Sequence, residues 1–134
     1  MNEAVISFTM AGYSFNTDDV TQLLGIEPTA TINGNTRLGD NNPAISSWEL
    51  SSDKVVDYDI DIIKMGNNLI KEIEPIKDKL LLAIENYNLV PKITVKLKLS
   101  TDKDESIPEI GFGSRAVKFL ASIGAFIDID AKKH

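Results

Sequence analysis

At 134 residues without a single cysteine, the chain is long enough to bury roughly two-thirds of its unfolded surface around one core, and it has no disulfide scaffold, thiol nucleophile, zinc finger or iron–sulfur ligand set. Twenty acids against fourteen bases give a formal charge of −6, with twelve lysines scattered along the chain and two arginines, Arg37 and Arg115, so no nucleic-acid partner is expected. No window approaches the roughly 18 consecutive apolar residues of a membrane span, and no basic segment followed by an apolar run opens the chain, so a cytoplasmic protein with no membrane partner is expected.

In chain order, residues 3–11 alternate, with Ala4, Ile6, Phe8 and Met10 on one side and Val5, Ser7 and Thr9 on the other, the period of a half-buried strand. Residues 16–25 open on the capping residue Asn16, carry Asp18 and Asp19 in the first turn and close on Gly25, which predicts a short helix with Val20, Leu23 and Leu24 facing the core. Pro28 ends it, and residues 29–38 read as a strand anchored by Ile32. The turn formers of 39–43 predict a hairpin returning along 45–52, where Trp48 and Leu50 share a face and Trp48 reads as a core aromatic.

Residues 57–87 predict a long helical region. Ile60, Ile63, Leu69, Ile70 and Ile73 form one stripe, Ile76, Leu80, Ala83, Ile84 and Tyr87 another, and Pro75 breaks the run between them. Residues 92–100 give the clearest strand, with Ile93, Val95, Leu97 and Leu99 opposed to Lys92, Thr94, Lys96 and Lys98, which implies a sheet with one wet face. A solvated loop over 101–106 leads to a short edge strand over 107–112. A helix capped by Ser114 follows, with Val117, Phe119, Leu120 and Ile123 inward and Gly124 at its end. The closing strand buries Ala125, Ile127, Ile129 and Ala131 and turns Phe126, Asp128 and Asp130 outward. Strands joined through a helix lie parallel. The element order predicts a single α+β domain over residues 1–134, two-layered, ferredoxin-like or an elaboration of it, with a twisted mixed sheet carrying helices on one face.

Chemistry-bearing clusters are few. Asp57, Asp59 and Asp61 alternate like the opening of a calcium loop, but Ile62 stands where the sharp turn wants glycine and Asn68 where a bidentate glutamate is needed; acids entering a helix explain the run without a metal. Asp128 and Asp130 point the same way from one strand, and Lys96 and Lys98 on a neighbouring strand are expected to pair with them. His134, the lone histidine, ends the chain and supports no triad. Gly111 and Gly113 lack the third glycine of a dinucleotide fingerprint, and Ser114 and Ser122 have no base to activate them. No catalytic residue, metal or cofactor is expected.

Several segments resemble the bacterial family of domain of unknown function 4279 across nearly the whole chain. These are Phe8, the run Asp18, Asp19, Val20 with Leu23, Leu24, Gly25, Ile26, Glu27 and Pro28, Gly34 with Arg37, the run Trp48, Glu49, Leu50, Ser51 and Ser52, and Gly124 to Asp130. The resemblance carries over no catalytic residue. It implies a neighbourhood, because small acidic bacterial domains of this kind are suspected immunity proteins encoded beside toxins. The function expected is a non-catalytic immunity protein, a monomer or weak homodimer, that neutralises a cognate toxin domain by protein–protein binding. Its contact candidates are the acidic loops at Asp40, at Asp57, Asp59 and Asp61, and at Asp102, Asp104 and Glu105. Two alternatives stand beside it: a ligand-binding domain using the open sheet face around Ser7, Thr9, Lys96, Asp128 and Phe126, and a metal-dependent hydrolase built on the Asp57 and Asp128 clusters.

Overall fold

Two-residue alternation makes β1 (Asn2–Tyr13) the axis of the sheet: Ala4, Ile6, Phe8 and Met10 are buried on its helix side. The computed structural model describes residues 1–34 and 44–134. β1 pairs antiparallel with β3 (Ile45–Ser51) on one flank and with β5 (Val90–Leu99) on the other. β2 (Ala30–Ile32) lies antiparallel outside β3, and β6 (Phe126–Lys133) lies parallel outside β5. The strand order is β2-β3-β1-β5-β6, with β4 (Val55–Asp57) pairing the first residues of β1. The helices α1 (Thr17–Leu24), α2 (Ile62–Ile73), α3 (Lys77–Tyr87) and α4 (Ser114–Ser122) cover one face and share its core. This is a twisted α+β fold in which β1, α1, β2, β3, the α2–α3 segment and β5 follow the ferredoxin-like order and α4–β6 adds one parallel strand.

Local chemistry fixes each helix end. The Asn16 side chain accepts the Asp18 N–H at 2.9 Å, and Gly25, at φ 72°, donates its N–H to the Thr21 carbonyl. Asn33 Oδ1, just past β2, accepts both the N–H and the hydroxyl of Thr17 and so ties the hairpin to α1. Trp48 is fully buried, as expected, and its indole N–H donates to Thr21 Oγ1 at 3.1 Å. Gly34 is required by close approach: a side chain there would collide with the Ile45 carbonyl, and its N–H donates to the buried Ser46 hydroxyl. Pro75 breaks the long helix as anticipated, leaving a single 3-10 turn over Glu74–Ile76.

Five expectations are corrected. The segment expected as helix from 57 instead closes β4 and begins its helix at Ile62, with Asp61 as cap, so Ile62 and not Ile63 is the buried residue of its first turn. Ile32 is 62% exposed on the open face instead of anchoring the core, and among the described residues the strand there is Ala30–Ile32, while residues 35–38 of the expected strand and the turn expected over 39–43 lie outside the described residues. Residues 107–112 form no strand; Pro108 has no N–H for a ladder, and the segment instead brings the Phe112 ring against Gly66 of α2. Gly113, not Ser114, occupies the cap of α4, and Ala116 replaces Val117 in its inward stripe, giving the spacing 116, 119, 120, 123. Ile127 and Ile129 face the helix side yet stay 45% and 50% exposed, because the helix layer does not reach over the outermost strand.

Candidate functional site

Two of the acidic segments read from sequence meet at one end of the molecule. β4 pairs Asp57 with Asn2, and the buried Asn2 side chain holds the other segment: its Oδ1 accepts the Ser100 N–H at 2.7 Å and its amide donates to the Ser106 carbonyl at 3.0 Å. Each acidic segment is locally self-bonded. Asp57 Oδ1 accepts the Tyr58 N–H, Asp61 Oδ1 accepts the Lys64 N–H at the start of α2, and Asp102 Oδ1 accepts the Asp104 N–H. Asp57, Asp59, Asp61, Asp102 and Asp104 are exposed. Glu105 turns inward, its Oε1 3.0 Å from the Met1 amino group, while its buried Oε2 has no hydrogen-bond partner among the described residues.

Between the segments lies a recess of about 350 Å³, with Tyr58, Asp59 and Asp61 on one wall and Ile107, Pro108 and Glu109 on the other. Tyr58 is 67% and Ile107 70% exposed, so an aromatic and a branched aliphatic side chain stand in water among carboxylates. Neither residue stands out in the sequence, where the pattern of 107–112 predicts a strand around Ile107 and that of 57–87 puts Tyr58 in the first turn of a helix that in fact begins four residues later. The signal available was an apolar Ile107–Pro108 pair following a run of charge. Asp40 falls outside the described residues.

The open face of the sheet is the second feature. Register places Ser7, Thr9, Lys96, Asp128 and Phe126 on it together, as the sequence suggested. Its centre is a patch of hydroxyls in which Ser7 and Ser51 share a 2.8 Å hydrogen bond and Thr94 is nearly covered. Asp130 is opposite Lys96 in register, but Lys96 Nζ pairs with Glu49 Oε1 at 3.5 Å, and among the described residues neither Asp128 nor Asp130 forms an ion pair. Lys92 sits 5.9 Å over the Phe126 ring. Toward one end, Lys54, Lys96, Lys98 and Lys132 surround a recess of about 240 Å³ with Glu3 and Asp130, an ammonium-rich patch on an acidic chain.

Asp57 and Asp128 stand on strands separated by β1 and β5, and among the described residues no three of His, Cys, Asp or Glu gather to hold a metal ion. Among those residues no helix is long and apolar enough to cross a membrane. At the surface of the helix layer, Arg115 makes a forked contact with Glu74, Nε lying 3.0 and 3.1 Å from its two oxygens. That bond, larger than the opposing desolvation and aided by the guanidinium charge, holds the Glu74 carboxyl below its ordinary range.

No curated protein and no solved structure significantly matches the chain. The profile of one family, the domain of unknown function DUF4279, matches residues 2–134, which takes in every strand and helix described above. The chain therefore belongs to the DUF4279 family.

Proposed function

We propose that this protein is a non-catalytic binding protein whose acidic end docks a basic protein, and that this partner is a cognate bacterial toxin domain neutralised in the cytoplasm. The observation that carries the reading is the exposure of Tyr58 and Ile107 side by side with Asp59, Asp61 and Glu109. Stable interfaces combine a few aromatic or branched anchors with a charged rim, and an acidic rim accelerates encounter with a basic partner. Locally closed turns at Asp57, Asp61 and Asp102 hold that rim in place before binding, which lowers the ordering cost of association. The test is titration calorimetry against the product of the neighbouring reading frame over a salt series. The reading expects association that weakens as salt rises; no association with any neighbour-encoded toxin contradicts it.

A second reading, a domain that binds a small ligand, is favoured by the four lysines around the open-face recess, which suit an anionic ligand. Native mass spectrometry of the purified protein tests it through a co-purified anion, which Lys98→Glu removes if it occupies this recess.

A further inference from the structure

β6 leaves the sheet with an unprotected border. Phe126 to Lys133 pair with Lys92 to Leu99 on one side, and among the described residues no strand lies on the other. Phe126, Ile127 and Ile129 each keep about half their surface in water. An edge of eight residues with branched apolar side chains and backbone groups facing water is a template for another strand.

The charge order along the strand identifies the occupant. Asp128 and Asp130 precede Lys132 and Lys133, so the first half of β6 is acidic and the second basic. A second copy laid parallel would set like charges opposite one another, whereas an antiparallel copy sets each acidic half against the other's basic half. Antiparallel pairing of identical strands also closes under twofold symmetry and exposes no further edge of the same kind. We propose that two copies of this chain associate edge to edge through antiparallel β6 strands, joining their sheets into one. With the axis through Ala131, each Lys132 faces Asp130 of the second copy and Ile129 meets the aliphatic stem of Lys133, whereas an axis through Asp130 would set the two Asp130 carboxylates against each other. The contact uses no residue of the Tyr58–Ile107 recess, so it stands or falls independently of the toxin reading.

Sedimentation equilibrium of the full chain tests the proposal. Twice the 14.7 kDa chain mass is expected at concentrations up to about 1 mM, with dissociation on dilution. Lys132→Glu with Lys133→Glu makes both halves acidic and is expected to give a monomer. Adding Asp128→Lys and Asp130→Lys to that variant reverses the whole pattern and is expected to restore the dimer. All four positions of the test are exposed or half-exposed, and circular dichroism verifies that each variant is folded. A wild-type chain that stays at the monomer mass, a dimer indifferent to the double substitution, or a folded quadruple variant that remains monomeric would each overturn the proposal.

Discussion

Asn2 and Ser106, 104 positions apart in the chain, are joined by a 3.0 Å hydrogen bond that fastens one acidic segment to the first residue of the central strand. The same side chain accepts the Ser100 N–H, so one buried amide sets both where the loop leaves β5 and where it turns toward the recess. Replacing Asn2 by Leu strands two backbone groups, at a cost of about 1–3 kcal/mol. Urea unfolding gives the stability loss, and amide exchange is expected to quicken across residues 100–106 while β3 stays protected. Unchanged exchange in that loop would show that the clamp does not position it.

The bond from Trp48 Nε1 to Thr21 Oγ1 links β3 to α1 through a ring with no exposed surface. Thr21→Val preserves shape and removes the acceptor, leaving a buried donor unpaired. A loss of about 1–3 kcal/mol is expected, with a shift in tryptophan emission. Thr21→Ser, which retains the oxygen, is expected to lose less than half as much.

The Glu74–Arg115 contact makes stability depend on pH in a definite direction. Its carboxyl titrates below the ordinary value of 4.5 in the folded chain, so between the folded and unfolded values the unfolded chain binds more protons. The contribution is complete above 4.5 and disappears as pH falls through the depressed folded value. Wild type and Glu74→Gln are therefore expected to differ at neutral pH and to converge in acid, measured by chemical unfolding across the range. A difference that persists undiminished in acid contradicts this assignment.

Much of the fold was legible because the decisive signals are local. Alternation in β1 and β5, the Asn16 and Gly25 caps, and the Pro75 break each follow from residues a few positions apart. The failures share a cause of longer range. Ile127 and Ile129 alternate like core residues, yet only the extent of the helix layer decides whether an outer strand is covered. Three-residue β4 carries too few positions for any period to show, and its pairing depends on a strand more than fifty residues earlier. The candidate site was half legible: acidity marked the loops at Asp57 and Asp102, whereas their convergence and the exposure of Tyr58 and Ile107 depend on Asn2 and the β1–β4 pairing.

The most direct test of the acidic docking surface is calorimetric titration of the neighbour-encoded toxin domain with wild type and with the triple variant Tyr58→Ala, Asp59→Asn, Ile107→Ala, whose positions are exposed and leave the core intact. Removing aromatic and aliphatic anchors together is expected to weaken binding by about 100-fold or more, while Lys132→Glu on β6 leaves it within about threefold. Equal affinity for wild type and triple variant, or no binding by either, would contradict the assignment of this end of the molecule as the interface.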